Sequence, residues 1–251
     1  MEITIIGSGT CVPSLRRASP AIMADAGTHR FLLDSGPGTL RQMLQAGITI
    51  NDIDTIVYSH FHADHTADLV PLIFAAKYSP GAHRTRDLTV MGPSGLKEFY
   101  RNLTLAYGRW IIPEHFTVNW IESAGAVLKC GSAMVKTAPT RHADGSMATR
   151  IEGAGGESVV YSGDSEYCAS LVEIARNADL LILECAFPEG MKSIGHLTPS
   201  LAGRIARESQ CKKLLLTHFY PPCDESDLIT PLRTEFVGEV ILAEDLMKIR
   251  V

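Results

Sequence analysis

The sequence predicts an α/β fold of layered, α+β character, in which two β-sheets lie inside and helices cover them outside. Three observations predict it. Short runs rich in Ile, Val and Leu recur along the whole chain, as expected of strands inside a packed body. Helix-length segments separate several of these runs and are interleaved more often in the later part. The 251 residues, 45% hydrophobic and 20% charged, have the composition and size of a soluble globular protein with one core. Each half holds enough strands for its own sheet and enough amphipathic helices to cover one face, so a simple doubly wound sheet fits less well.

Taken in order, the strand segments are Ile3 to Ile6, Arg30 to Asp34, Ile53 to Tyr58, Leu88 to Met91, Phe116 to Ile121, Ala133 to Ala138, Ser158 to Tyr161, Leu180 to Leu183 and Lys213 to Thr217. Helices are expected over Gly38 to Ala46, Ala67 to Ala76, Ser94 to Leu105, Glu166 to Ala175 and Pro199 to Ser209. The glycine-rich Gly153-Ala154-Gly155-Gly156 reads as a hairpin turn. With no repeat, low-complexity tract or Pro/Ser linker to divide it, the chain is expected to form a single domain over residues 1–251.

Composition also narrows the function. No stretch approaches the roughly 20 apolar residues of a membrane helix, and Met1 to Ile6 lacks a basic segment before its apolar run, so it reads as a first strand and no membrane partner is expected. Six scattered cysteines with no C-x-x-C pair suit neither a disulfide frame nor a cysteine zinc site and fit a reducing cytoplasm. A net charge of −5 offers polyanions no general attraction, and no stable DNA partner is expected. Arg16 with Arg17, His83 to Arg86, and Lys212 with Lys213 are the local basic clusters, each read as solvated surface.

The sharpest local feature is Ser59-His60-Phe61-His62-Ala63-Asp64-His65, directly after one apolar strand and before an apolar helix. Four metal-competent side chains occupy six positions. At a strand exit His60 and His62 share a direction by the two-residue period, and a turn brings Asp64 and His65 to a neighbouring point. Imidazole with carboxylate suits zinc, although iron or manganese also occupies such mixed sites. Without a metal, three imidazoles and a carboxylate buried in one loop would cost kilocalories each. Two ions need more ligands than one loop supplies, and His142, Asp164 and His218 each stand just beyond a predicted strand. His29, His83 and His115 are read as ordinary polar residues.

These residues resemble the metallo-β-lactamase superfamily, whose H-x-H-x-D-H signature stands here as His60, His62, Asp64 and His65. Asp34 in Leu33-Asp34-Ser35-Gly36-Pro37-Gly38 is similar to the family's first motif, His142 to the third, Asp164 to the fourth and His218 to the fifth. The resemblance implies a four-layer αββα sandwich and two Zn2+ per subunit, Mn2+ or Fe2+ being alternatives. One ion would be held by His60, His62 and His142, the other by Asp64, His65 and His218, with Asp164 bridging. Asp34 would stand behind the ligands, accepting a hydrogen bond from one imidazole. The iron-bearing flavoproteins of this fold carry a glutamate where His62 stands.

Leu183-Glu184-Cys185-Ala186-Phe187 followed by Gly195-His196-Leu197-Thr198-Pro199 is similar to a loop pair of the ribonuclease Z and phosphodiesterase branch. A glutamate beside a histidine raises its pKa, so Glu184 is expected to support His196 as an imidazolium that protonates a leaving oxygen or stabilises a phosphate oxyanion. Thr198 would cap the helix that begins at Pro199. The expected reaction is phosphodiester hydrolysis by hydroxide held between two zincs, with Asp64 orienting the nucleophile. The tRNA-processing enzymes typically carry a long arm between the third and fourth motifs, whereas only a short hairpin fits between His142 and Asp164 here, which argues against transfer RNA maturation. The expected substrate is a small phosphodiester or RNA. A lactone, thioester or phosphotriester hydrolase on the same metals is the alternative, and a catalytically inactive metal- or nucleic-acid-binding module is disfavoured by the complete ligand set. Tyr107 to Pro113 could wall the pocket, join the core or form a dimer contact, and a homodimer is the family's common state.

Overall fold

Strands with both faces buried account for the apolar runs. The computed structural model describes residues 1–123, 125, 127–191 and 193–251. Along β1 (Glu2–Gly7), β2 (Ala21–Asp25), β3 (Arg30–Leu33), β4 (Thr55–Val57), β5 (Leu88–Gly92) and β6 (Val118–Glu122), alternate side chains point into two different cores. Phe31 and Leu33 pack towards the second sheet while Leu32 packs under the helices. Along β1 to β5 neither face meets water, so hydrophobic residues follow one another without the polar alternation of a half-solvated strand; the edge strand β6 is partly exposed.

The second sheet comprises β7 (Val127–Cys130), β8 (Ala133–Pro139), β9 (Met147–Glu152), β10 (Ser158–Tyr161), β11 (Leu180–Glu184), β12 (Lys213–Thr217) and β13 (Glu239–Leu242), while β14 (Lys248–Arg250) returns to pair with β1. Among the described residues the sheets run β14-β1-β2-β3-β4-β5-β6 and β13-β12-β11-β10-β9-β8-β7. Both are mixed: β3 to β6 and β10 to β13 are parallel and the remaining pairings antiparallel. Helices α1 (Thr39–Gln45), α2 (Ala63–Thr66), α3 (Leu69–Tyr78) and α4 (Leu96–Tyr107) belong to the first half, with Met43, Leu72 and Leu96 sealing the outer face of the first sheet. Helices α5 (Ala169–Ile174), α6 (Pro199–Ser209) and α7 (Ile229–Arg233) place Leu171, Ile205 and Leu232 in the larger core. This is the αββα arrangement expected from the sequence.

Five strands escape the sequence pattern. β7, β13 and β14 are short, partly exposed edge strands; β7 and β14 have no long apolar run, whereas β13 carries Val240-Ile241-Leu242 and is absent from the strands expected from the sequence. β9 interrupts its apolar residues with Thr149, Arg150 and Glu152, and β2 is built largely from Ala and Met, so its pairing between β1 and β3 makes it a strand. The helix expected over Glu166 to Ala175 is confined to Ala169–Ile174, because the Glu166 amide donates to the Arg141 carbonyl and keeps that stretch in a loop. Thr198 occupies the N-cap position of α6 with Pro199 at N1, but its side chain makes no capping hydrogen bond; its hydroxyl lies 3.4 Å from that of Ser200. Gly153 to Gly156 forms the turn joining β9 to β10.

The basic clusters lie mostly on solvated surface, with Arg16, Arg86 and Lys212 exposed beside carboxylates, but Arg17 and Arg84 are buried. Arg17 is buried and bonds Asp224, Ser8 and the Ala243 carbonyl. Lys212 pairs with Asp179 and Lys213 with Glu239. Arg84, 1% exposed, donates to the carbonyls of Arg86, Ile50 and Asp87 at 2.7–2.8 Å. Burial pushes its pKa down to about 10, which still leaves it charged at neutral pH. Among the described residues no helix is long and apolar enough to cross a membrane.

Removing one partner from a buried hydrogen bond costs about 1–3 kcal/mol through the group left unpaired. Arg84→Ala should therefore lower the unfolding free energy by about 3 kcal/mol in urea titration. The exposed Arg86→Ala should lower it by less than about 1 kcal/mol. Equal losses would show that Arg84 does not pin this region.

Candidate metal centre

The parallel strands end on one side of the molecule, and the chemistry collects there. After β4 the chain turns at Ser59, whose amide and hydroxyl both donate to the Asp34 carboxylate at 2.8 Å. Asp34 itself follows β3 in a left-handed conformation, φ 57°, which a short polar residue tolerates better than most. His62 takes the N-cap position of α2, so Asp64 and His65 fall on the first turn of that helix. Gly36 lets this turn approach the first sheet, since a Cβ there would sit 1.9 Å from the Asp64 carbonyl oxygen.

Hydrogen bonds fix the ring tautomers. The Ser59 hydroxyl, already donating to Asp34, can only accept from His60 Nδ1 at 2.9 Å. His65 Nδ1 donates to Asp34 at 2.7 Å, and His142 Nδ1 donates to the Gly195 carbonyl at 2.8 Å. Each ring then presents an unprotonated Nε2 when neutral. His142 Nε2 faces His62 Nδ1 at 3.1 Å, and His65 Nε2 faces His218 Nε2 at 3.3 Å. Each facing pair of nitrogens needs a shared proton or a bound cation between its members. His60 Nε2, Asp164 Oδ1 and His218 Nδ1 are buried without a hydrogen-bond partner, so a bound cation fits the donor set by removing part of that cost.

Two ligand groups result. One donor atom each from His60, His62, His142 and Asp164 lie within 4.8 Å of one another, and so do those of Asp64, His65 and His218. Asp164 addresses both. Its Oδ2 is 3.9 Å from His60 Nε2 and 3.7 Å from His142 Nε2, whereas Oδ1 is 3.3 Å from both His65 Nε2 and His218 Nε2. Burial opposes its ionisation, but His218 and His65 outweigh that and hold its carboxyl well below the usual range. Burial pushes His60 down to about 2, so its ring is neutral and able to ligate. At Asp64 burial is overcome by the His218 hydrogen bond and the charges of His65 and His218, leaving a carboxylate with pKa about 2.

Glu184 ends β11 with its carboxylate fully buried, accepting from the amides of Ser165 and Ala186 at 3.0 Å. Its Oε1 also accepts from His196 Nδ1 at 3.0 Å. A third group unites Asp164, His196 and His218, but the His196 nitrogen that approaches Asp164, Nδ1 at 4.0 Å, is the one committed to Glu184. Burial lowers the His196 pKa, the Glu184 hydrogen bond and charge raise it more, and the net shift is upward. Gly195 precedes it at φ 86°, and a Cβ there would stand 2.8 Å from His142 Nδ1.

All eight histidines and carboxylates expected at or beside the metals, with Glu184 and His196, thus meet at one sheet edge. Sequence reasoning missed Tyr161, whose buried hydroxyl donates to Asp34 Oδ2 at 2.8 Å from the second sheet. A tyrosine at a strand end carries no signal of that partner. Ser59 was visible only as a neighbour of His60. The other histidines lie apart: His29 bonds Thr55, and the rings of His83 and His115 meet at 4.9 Å, tilted by 49°. Trp110 is 49% exposed and packs near Phe74 and Tyr78, which removes the segment Tyr107 to Pro113 from the core as a whole, although Ile111 is buried.

A model of the beta-lactamase superfamily domain matches residues 29–219. Ribonuclease Z of Archaeoglobus fulgidus is 31% identical, the alignment covering 100% of this chain and 97% of the relative. That of Mycobacterium sp. (strain KMS) is 29% identical, with 100% and 96% covered. The crystal structure of the metallo-beta-lactamase fold protein YhfI from Bacillus subtilis superposes with a TM-score of 0.83 at 31% identity, over 99% of this chain and 98% of that one.

Removal of a carboxylate that orients a ligand imidazole typically weakens metal binding by about 10–100-fold. Asp34→Asn should do so in a zinc competition titration while the far-ultraviolet dichroism stays native. Unchanged affinity would exclude Asp34 from supporting the centre.

Proposed function

The chain belongs to the beta-lactamase superfamily, and from that premise we propose that it is a dinuclear zinc phosphodiesterase of the ribonuclease Z type, acting as one domain over residues 1–251. The observation that carries this reading is Asp164, whose two oxygens address two separate histidine sets. His60, His62 and His142 would hold one ion, and Asp64, His65 and His218 the other, with Asp164 common to both. Nitrogen and oxygen donors of this kind suit zinc. When bound, the two ions supply Lewis-acid stabilisation of phosphoryl oxygens and acidify water.

The protein's own residues divide the remaining work. Asp64, ionised at any physiological pH, accepts a hydrogen bond from the attacking water and aims its lone pair at phosphorus. Asp34, itself out of reach of substrate, holds His65 and, through Ser59, His60. His196 is the proton donor to the leaving oxygen. Its Nδ1 is committed to Glu184, which leaves Nε2 to give the proton, and the raised pKa keeps the ring protonated closer to neutrality. An acid of this kind serves poor alkoxide leaving groups, as in phosphodiesters of RNA or small nucleotides, and is less needed for the acyl transfer of thioesters. The relatives named ribonuclease Z support the same bond class.

Hydrolysis of bis(p-nitrophenyl) phosphate by protein of known zinc content tests this directly. Wild type with about two zincs should turn over. His196→Ala should keep its zinc and lose rate, nearer the lower end of the roughly 100- to 10,000-fold typical of a general acid, because p-nitrophenolate leaves easily. Asp164→Ala should lose both zinc and rate. Zinc-replete wild type that is inert would overturn the phosphodiesterase reading and bring lactones and thioesters forward.

The pH profile tests Glu184 separately. A raised His196 pKa means the acid form persists to higher pH, and activity falls as pH rises through that pKa. Glu184→Gln removes the charge that raises it, so the alkaline limb should move to lower pH with zinc content unchanged. An unmoved limb would remove Glu184 from this role.

A further inference from the structure

Beside His196 stands an aromatic pair that the reaction as described does not use. Phe187 and Tyr220 stack with ring centroids 4.7 Å apart and planes 18° from parallel, and both are half-buried. They leave neighbouring parallel strands, each three residues beyond the strand ends Glu184 and Thr217. The two loops are tied together, since the Tyr220 amide donates to the Ala186 carbonyl at 3.2 Å and the Cys223 thiol donates to the same carbonyl at 3.2 Å. Pro221 and Pro222 open the turn that follows Tyr220 and restrict it further.

The pair is oriented with respect to the site. Phe187 meets His196 edge to face at 5.8 Å and 72°, and Tyr220 meets it at 6.3 Å and 73°. Tyr220 also stands edge to face with His218 at 6.0 Å and 73°. His196 and His218 are themselves nearly parallel, 5.9 Å apart at 16°. The two imidazoles thus form one side of a corner and the aromatic pair the other. A leaving group protonated by His196 would depart beside these rings, whose centroids lie 5.8 and 6.3 Å from that of His196.

We propose that Phe187 and Tyr220 form the leaving-group subsite, and that they select phosphodiesters whose leaving alcohol carries a planar unsaturated ring, a nucleoside or an aryl alcohol. The proposal rests on the phosphodiesterase reading above for the direction of departure. The recognition itself needs only the rings: polarisable faces gain most from a flat partner, through offset stacking or edge contact. An alkyl group would forgo that gain.

The test uses zinc-loaded protein and two readouts. In calorimetric titration adenosine 5′-monophosphate should bind roughly five- to tenfold tighter than ribose 5-phosphate. Tyr220→Leu and Phe187→Leu should each erase most of that preference without changing ribose 5-phosphate affinity, whereas Tyr220→Phe should retain it. In kinetics the leucine variants should raise KM for bis(p-nitrophenyl) phosphate by roughly fivefold with kcat within about twofold. Should the leucine variants fail to hold zinc, Phe187→Trp decides: its larger ring should tighten adenosine monophosphate binding, and no gain would overturn the proposal. Active wild type with no preference between the two phosphates would overturn the subsite while the phosphodiesterase reading stood. An inert wild type that keeps the ring preference, lost in the leucine variants, would overturn the reading while the ring subsite stood.

Discussion

The Asp34 carboxylate, 0% exposed, accepts hydrogen bonds from the Ser59 amide and hydroxyl, the His65 ring and the Tyr161 hydroxyl. Those donors come from the exit of β4, the first turn of α2 and the end of β10. One buried side chain therefore sets the position of two imidazoles and ties the first sheet to the second where the candidate metal ligands converge. A buried carboxylate is tolerated only when such donors replace its water. Its own backbone is held at positive φ, a strain the surrounding bonds must outweigh.

From that arrangement the histidines acquire different duties without differing in sequence chemistry. His60, His65 and His142 spend Nδ1 on fixed acceptors and turn Nε2 inward. His196 spends Nδ1 on a buried glutamate and has its pKa raised, while His60, desolvated beside other imidazoles, is pushed down to about 2. Environments that separate the titration of like groups are how a site assigns ligand and acid roles to one residue type. Phe187 and Tyr220 stack beside His196, at the side proposed for the leaving group.

The sheet architecture makes this convergence feasible. Parallel strands deliver their carboxyl ends to one edge, where loops are free to carry polar chemistry while the strand interiors stay largely apolar. The loops approach closely enough that side chains must be absent at chosen points. Gly36 beneath Asp64 and Gly195 against His142 are two such points, and a methyl group at either would displace the residue it faces.

Much of this was legible in the chain itself. Apolar runs marked nine strands, most of them because burial on both faces leaves an unbroken pattern, and the dense His60 to His65 loop marked the centre because so many ligands in so few positions have few other uses. Edge strands such as β7 and β14, half-exposed and short, left no such trace, nor did β2, which is a strand because of its neighbours. The sequence by itself determined which residue types stand at the strand exits. Only the tertiary structure decided that Asp164 turns one oxygen to each histidine set, that Tyr161 completes the Asp34 shell and that Phe187 meets Tyr220. Those relations join residues far apart in the chain through the register of two sheets, and local pattern carries no information about such distances.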